Sequence, residues 1–249
     1  MDLLNQHRSI RKFKAEEVPD ALLQHILYSG TRASTTGNMQ LYSIVVNRDP
    51  AMRAKLAPLH FNQPVAVHAP VLLTFVADFN RFIRWCEQND AQPGYDNFIS
   101  FLNACIDTTL VAQNVCVAAE NLGLGICYLG TTTYNAGELI EALALPKFTF
   151  PIATVALGYP DEDPGLTDRL PLEGIVHDEH YHDYSNADID NLYRVKENLE
   201  SSKQFVAENG KRHLAQVFTD VRYKKSDNEF FSEKSLKVLQ AQGFRFTGL

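Results

Sequence analysis

The segment from Asn97 to Leu122 constrains the fold most, because it is the longest helical pattern in the sequence and is apolar around most of its circumference. Such a helix has almost no side suited to water, so the rest of the chain must pack around it. Periodicity alone leaves open whether one subunit buries the helix completely or a second subunit covers part of it. Its polar interruptions include Asp107, Thr108, Gln113, Asn114 and Glu120.

Short apolar segments between helical patterns predict an α+β fold. Strands are predicted at residues 41–46, 70–77, 126–129 and 151–157, and the second is apolar on both faces, as is typical of a central strand. Helices are predicted at residues 20–30, 51–56, 135–145, 187–204 and 232–242. The sequence becomes polar and proline-rich after Tyr159. We therefore predict a single domain over residues 1–249, with a core of about 1–160 and a C-terminal extension of about 161–249.

The composition excludes several classes of protein. The 249 residues have a formal net charge of -7, which argues against a general nucleic-acid binder. The longest apolar run, Ala69 to Ala77, is far shorter than the ~20 residues that a membrane span needs, so we expect no membrane partner. The N-terminus does not resemble a secretory signal. The cysteines form no C-x-x-C pair, so we expect reduced, buried thiols in a cytoplasmic protein.

A basic segment, His7-Arg8-Ser9-Ile10-Arg11-Lys12-Phe13, stands out in this acidic chain. The guanidinium fork of arginine suits phosphate, and the spacing of Arg8 and Arg11 would point both the same way on a helical turn. A solvated basic turn would have the same composition, and the residue types alone favour that interpretation.

Two further segments have the composition of a ligand site. The loop Ser34-Thr35-Thr36-Gly37-Asn38-Met39-Gln40 precedes a strand, and its side chains could bind the polar edge of a ring or simply connect two elements. The segment from Gly123 to Thr131 lacks the third glycine of a dinucleotide-binding fingerprint and follows a helix rather than a strand, so a Rossmann fold is rejected. Gly130 still ends a strand, where a bare backbone amide can approach a flat ligand.

Two clusters near the C-terminus allow more than one interpretation. His177, His180 and His182 alternate with acids, but the spacing matches no defensible metal motif, and a polar surface loop is favoured, so no metal is predicted. The basic segments Lys211-Arg212-His213 and Arg222-Tyr223-Lys224-Lys225 are either surface charge that flanks helices or a site for a phosphorylated cosubstrate. There is also no motif that supports a catalytic nucleophile, and we name no catalytic residue.

Taken in order along the chain, these segments resemble the nitroreductase family, specifically the oxygen-insensitive NAD(P)H nitroreductases and flavin reductases that depend on FMN. The matching elements are HRSIRKF at 7–13, the polar loop at 33–40, Gln63, ADFNR at 77–81, the stretch at 107–130, LALP at 143–146, ALGYP at 156–160, and Arg169-Leu170-Pro171 with Val176-His177 and Tyr181. The match covers most of residues 7–181, and the C-terminal part resembles the subgroup more loosely.

The resemblance implies a nitroreductase-like fold: a central, mostly antiparallel sheet flanked by helices, in an intertwined homodimer that binds FMN at the subunit interface. It implies that His7, Arg8, Ser9 and Arg169 hold the phosphate and that Arg11 lies near the pyrimidine edge of the flavin. The other implied FMN contacts are Ser34, Thr35, Gln40, Gln63, Tyr128, Leu129, Gly130 and Thr131. One departure is Thr167, where many members have a lysine; losing that cation should weaken FMN binding.

The resemblance also implies a reaction. Hydride passes from NADPH or NADH to FMN and then, by a ping-pong sequence, to a nitroaromatic, a quinone or a flavin. NADPH should be preferred, with Lys211 and Arg212 as candidates for binding its extra phosphate. The preference should be only modest, because Glu208 lies close in sequence and would repel that phosphate. The alternatives are a flavin reductase that supplies free reduced flavin to a partner, and a flavin-binding storage or sensor protein with little turnover.

Overall fold

The structure is a computed structural model, and it describes residues 2–246. The chain divides into two compact units. The first unit comprises the chain up to Gly165 and again from Glu233, and the second comprises Leu166–Ser232. The predicted extension is therefore not one block, because its last part belongs to the first unit. That the whole chain forms one domain stays a prediction.

A four-stranded sheet forms the centre of the first unit. Its strands are β1 (Tyr42–Asn47), β2 (Val71–Asp78), β3 (Gly125–Leu129) and β4 (Thr149–Gly158), in the order β1-β2-β4-β3. Every neighbouring pair is antiparallel. All eight residues of β2 are buried, which confirms the prediction of a central strand. Strand β3 forms one edge of the sheet.

Helices cover both faces of the sheet, so the predicted α+β class and helix-flanked sheet are confirmed. The α-helices that lie wholly within the first unit are α1 (Asp2–Asn5), α2 (Asp20–Gly30), α3 (Pro50–Leu56), α4 (Pro64–His68), α5 (Asn80–Gln88), α6 (Phe98–Asn121) and α7 (Ala136–Ala142). Leu73 and Phe75 of β2 belong to a buried cluster with α2 and α6. Leu72, whose side chain points to the opposite face, belongs to a cluster with α3, α4 and α7.

Helix α6 packs one side against the sheet and leaves an apolar stripe exposed. Asn97 caps its first turn by accepting a hydrogen bond from the Ser100 N–H at 3.1 Å. The residues of the stripe follow a spacing of four: Phe98, Leu102, Ile106 and Leu110 are 60%, 39%, 47% and 44% exposed. By length and composition the helix could also cross a membrane, a test that core helices often pass. The first unit alone therefore does not bury α6 completely.

Some helix predictions were wrong in extent. The pattern at 187–204 predicted one helix, but the chain forms α8 (Asn186–Asn198) and α9 (Glu200–Glu208), because Leu199 has an extended backbone with ψ of 139°. Helix α10 (Leu214–Val217) follows, and α11 (Lys225–Ala241) starts earlier than residue 232. The segments α1, α4 and α5 were not predicted as helices; α1 and α4 span only four and five residues, too few to establish a helical period.

The basic segment lies against the edge strand, and one glycine allows this approach. A Cβ atom added to Gly125 would lie 2.7 Å from Cγ1 and 2.8 Å from Cβ of Ile10. Gly125→Ala should therefore push residues 7–13 away from β3 and lower the free energy of unfolding by about 1–3 kcal/mol, the usual cost of overpacking. Denaturant unfolding measures this change. Gly94→Ala is the matched control, since a Cβ there meets nothing within 4 Å; equal effects of the two variants would contradict the packing.

Candidate functional site

The basic segment at 7–13 is extended rather than a helical turn. The Ile10 N–H donates a 2.9 Å hydrogen bond to the carbonyl of Ile126 on β3, and Phe13 forms an isolated bridge with Pro160. The helical turn on which Arg8 and Arg11 would point the same way does not form, because the backbone of this segment pairs with the edge of the sheet instead. The segment is a fixed element beside β3 and not a free basic turn.

Carboxylates from two elements hold the basic segment. His7 Nδ1 lies 2.7 Å from Glu120 Oε1 on α6, and Arg8 Nε lies 3.0 Å from Asp163 Oδ1. Glu162 accepts hydrogen bonds from the backbone N–H groups of Arg11 at 2.5 Å and Lys12 at 3.0 Å. The Arg8 side chain is one-third exposed and that of Arg11 is exposed. The two guanidinium groups thus stay accessible to an anion, while the backbone that bears them is anchored.

The end of strand β3 offers open space next to this segment. A Cβ atom added to Gly130 would meet nothing within 4 Å, and Gly130 is exposed. Leu129 is buried, whereas Tyr128 is 39% exposed. Burial and a hydrogen bond to Cys116 raise the pKa of the Tyr128 hydroxyl, so this side chain stays neutral. The position combines a bare backbone with one aromatic side chain, which suits a flat ring.

Thr131 and Gln63 are connected to each other through a buried histidine. The Thr131 hydroxyl lies 2.9 Å from His60 Nδ1, and the Gln63 N–H donates to the His60 carbonyl at 3.2 Å. Gln63 directly precedes α4 and is half-buried. The structure therefore places His7, Arg8, Ser9, Arg11, Tyr128, Leu129, Gly130, Thr131 and Gln63 around the edge strand β3 and the turn that adjoins its end.

The polar loop at 34–40 is organised by a buried carboxylate. Asp107 Oδ1 accepts hydrogen bonds from the Thr36 N–H at 2.8 Å and the Thr36 hydroxyl at 2.9 Å, and Oδ2 accepts one from the Leu41 N–H at 3.2 Å. The guanidinium of Arg81 donates to the carbonyls of Gln40 at 2.5 Å and Tyr42 at 3.1 Å. Hydrogen bonds to the side chains of Asp107 and Arg81 therefore hold the loop in a defined conformation.

Asp107 and Arg81 had no assigned role in the sequence. Asp107 was visible only as a polar interruption of an apolar helix, and Arg81 only as part of a matching segment. A carboxylate that is 1% exposed must be hydrogen-bonded, and its donors come from a segment 71 residues away. A buried acid in an apolar helix signals such a bond, but the pattern does not say which segment supplies the donors.

The loop attaches near the middle of α6 and the basic segment near its C-terminal end. Asp107 holds the loop with Ser34, Thr35 and Gln40, and Glu120 contacts His7. The two acids lie about 20 Å apart along the helix axis, at 1.5 Å per residue. Among the described residues, no hydrogen bond or ion pair connects Ser34, Thr35 or Gln40 to the residues around β3.

The remaining expected site residues lie in the second unit. Arg169 Nη1 donates to the Thr167 hydroxyl at 2.7 Å and to the Asp168 carbonyl at 2.9 Å, and Arg169 is exposed. Thr167, at the position where the resemblance implies a lysine, thus contacts the guanidinium. Lys211 Nζ lies 2.8 Å from Asp220 Oδ2, whereas Arg212 is exposed. The role of Arg169 beside Arg8 stays a prediction.

The histidine cluster and the cysteines show no reactive arrangement. His177 packs against Tyr181, with ring centroids 4.4 Å apart, and its Nε2 lies 3.2 Å from the Tyr184 hydroxyl. Among residues 2–246 no group of three or more His, Cys, Asp or Glu is arranged to hold a metal ion. All four cysteines are free; Cys86, Cys116 and Cys127 are buried, as expected, whereas Cys105 is only partly buried. Burial raises the pKa of Cys105 and Cys116 to about 12.

The residues around β3 fit the FMN that the resemblance implies. Arg8 and Arg11 supply accessible cations for a phosphate and for an electron-rich ring edge. Gly130 leaves open space at the strand end, where a side chain would otherwise stand. Gln63 adds a half-buried amide, and Thr131, which is 5% exposed and bonded to His60, forms part of the wall behind the strand end.

Comparison with known proteins identifies the family. The sequence profile of the nitroreductase family matches residues 4–159. An oxygen-insensitive NADPH nitroreductase of Salmonella typhimurium is 38% identical over 181 residues, which is 73% of this chain and 74% of that protein.

Two solved structures extend the similarity over nearly the whole chain. A Bacteroides fragilis chain, assigned no further than oxidoreductase, is 56% identical with a TM-score of 0.97, and the match covers 98% of this chain and 99% of that one. The NADPH:FMN oxidoreductase of Vibrio harveyi, solved with NAD+, is 27% identical with a TM-score of 0.77, and the match covers 100% and 98% of the two chains. The chain belongs to the nitroreductase family and is an FMN-dependent NAD(P)H oxidoreductase.

Proposed function

We propose that this protein passes reducing equivalents from NADPH, and less efficiently from NADH, to nitroaromatic, quinoid or flavin acceptors in a ping-pong sequence. The observation that supports this most is the basic segment with Arg8 and Arg11, held along β3 next to the open position at Gly130. When bound, FMN supplies the chemistry by taking a hydride from the nicotinamide and giving it to the acceptor.

The protein's own residues supply binding and electrostatics. Arg8 binds the phosphate, with Ser9 and His7 beside it, while Asp163 and Glu120 fix the direction of Arg8 and His7. Arg11 provides a cation that stabilises negative charge on the reduced cofactor. Because Asp163 balances part of the charge of Arg8 and a lysine is replaced by Thr167, we infer that the phosphate is held less tightly than in members with an additional cation.

We further propose a homodimer in which a second copy covers the exposed stripe of α6. Phe98, Ile106 and Leu110 are large apolar side chains that would otherwise face water. A second copy would also allow the loop with Ser34, Thr35 and Gln40 to reach an FMN held around β3 of the other chain. This arrangement would complete the site, since the two acids that hold these segments, Asp107 and Glu120, lie about 20 Å apart along α6 in one chain. The free thiols suit the cytoplasmic location that we expect.

The name of the Vibrio harveyi relative favours a second candidate, a flavin reductase that releases reduced flavin to a partner. An acceptor panel distinguishes the two functions. The FMN-loaded protein is mixed with NADPH and, separately, a nitroaromatic, a benzoquinone and free FMN, and NADPH consumption is measured. We expect turnover with the nitroaromatic and the quinone at about 1 per second or faster, within the usual range of enzymes.

Turnover with free FMN alone would instead support the flavin reductase. Stopped-flow mixing with NADPH tests a storage or sensor role, because such a protein would reduce its bound flavin much more slowly than about 1 per second. Slow reduction of the bound flavin by both nicotinamides would overturn the proposed function.

The preference for NADPH should depend on Arg212 more than on Lys211. Lys211 is already paired with Asp220, and this contact lowers the pKa of the Asp220 carboxyl, so Asp220 stays charged and competes with a ligand phosphate. Arg212→Ala should lower the ratio of kcat/KM for NADPH over NADH about twofold to fivefold, the scale of an exposed ion pair. Lys211→Ala should change it less, and the native ratio should fall as salt rises.

The control for this experiment is Lys203→Ala, which removes an exposed cation of the same unit that is paired with Glu200. The ratio should be unchanged in this variant. If Arg212→Ala also keeps the native ratio, the basic pair is ordinary surface charge and does not bind the 2′-phosphate.

A further inference from the structure

His60 is an unusual side chain to find in the interior of the first unit. It is completely buried and is the one polar member of the set of largest fully buried side chains among residues 2–246. Its Nδ1 lies 2.9 Å from the Thr131 hydroxyl oxygen, and its Nε2 has no hydrogen-bond partner in the described part of the chain. An apolar residue of similar size would fill this position without burying an unpaired nitrogen, so the histidine needs another explanation.

The protonation state of the ring follows from its burial. Burial lowers the pKa of His60 to about 4, so the imidazole is neutral near pH 7 and has a single N–H. A proton on Nε2 would be a buried donor without an acceptor, and such donors are rarer in proteins than unpaired acceptors. The proton therefore belongs on Nδ1 and is donated to Thr131. The Thr131 hydroxyl then accepts this bond and keeps its own proton for another partner.

The backbone of His60 holds a second segment. Its carbonyl accepts the N–H of Gln63 at 3.2 Å across a turn in which Phe61 and Asn62 both have positive φ, 55° and 51°. Two successive residues in the left-handed region are unfavourable unless the surroundings fix them. His60 thus begins the turn that presents Gln63 and, through its ring, contacts the residue after Gly130.

We propose that His60 is a positioning residue for the flavin site: its ring fixes Thr131 and its carbonyl fixes Gln63, so that one buried residue sets the distance between two segments that contact FMN. This inference rests on the proposed function, because it takes Thr131 and Gln63 as FMN contacts. It also explains the unpaired Nε2: the position requires a histidine for the hydrogen bond from Nδ1 to Thr131, and the second ring nitrogen is then left without a partner.

The test is FMN binding in variants that remove either partner of the bond. His60→Leu replaces the imidazole ring by an apolar side chain of similar size. Thr131→Val keeps the shape of threonine without the hydroxyl. Each variant should weaken FMN binding about threefold to tenfold, the fold-change that corresponds to one hydrogen bond. Binding is measured by quenching of flavin fluorescence, and the visible absorption bands of bound FMN should shift. The double variant should be no weaker than either single one.

Conservative variants and a control separate positioning from simple structural support. Thr131→Ser retains the hydroxyl and should bind FMN as the native protein does. His60→Asn keeps a donor near the place of Nδ1 and should recover part of the affinity. His68→Asn, at an exposed histidine of α4, should change neither affinity nor spectrum.

A lower Tm with unchanged FMN affinity and spectrum would show that His60 only stabilises the fold, and so would additive effects in the double variant; either result overturns the proposal. If the native protein binds FMN and turns over but the variants do not differ from it, positioning by His60 is wrong while the proposed function stands. If the native protein itself fails to bind FMN, the proposed function is wrong, and this inference with it.

Discussion

The first unit depends on the burial of one long helix. Helix α6 is apolar on most sides, so the sheet, α2 and the loops that follow are placed to cover it. The two acids that interrupt its apolar surface each hold another segment of the chain in place. Asp107 is buried and bonded to the polar loop, and Glu120 contacts His7 at the start of the basic segment. A carboxylate in such surroundings requires donors, and this requirement fixes the position of both segments.

The chemistry of the site follows from what these segments present. The basic segment is anchored through its backbone to β3, which leaves the side chains of Arg8 and Arg11 accessible. The described thiols with raised pKa are poor nucleophiles at neutral pH. The protein therefore contributes position and charge, and the cofactor of the family contributes the redox chemistry. The acids Glu162 and Asp163, which follow β4, moderate the positive charge while holding the segment in place.

Much of the fold was predictable from the sequence, because strands and the long helix have strong local patterns. Strand β2 is apolar at nearly every position, and α6 has a helical pattern over 24 residues. Helix α5 was missed because Asn80–Gln88 spans only nine residues, many of them polar or charged. The break at Leu199 was missed because nothing in the sequence there resembles a helix stop.

The candidate site was predictable only in part. The resemblance supplied its residue types, but the extended backbone at 7–13 depends on pairing with β3, which no local pattern shows. The roles of Asp107 and His60 depend on partners 71 residues away in each case, Thr36 and Thr131. Contacts of that sequence separation are set by the tertiary fold. Lys211 and Asp220 are only nine residues apart, but the sequence does not show that they form an ion pair, so Lys211 was predicted to be available to a ligand.

One measurement tests whether the exposed side of α6 meets a second copy of this chain. Light scattering of the FMN-loaded protein at micromolar concentration should give twice the 28.0 kDa of a single chain. Ile106→Asp, in the middle of the exposed stripe, should give the mass of one chain and release FMN, whereas Tyr28→Asp, an exposed apolar position on α2, should not. A native protein that keeps FMN at a mass of 28.0 kDa would contradict a site completed by two chains.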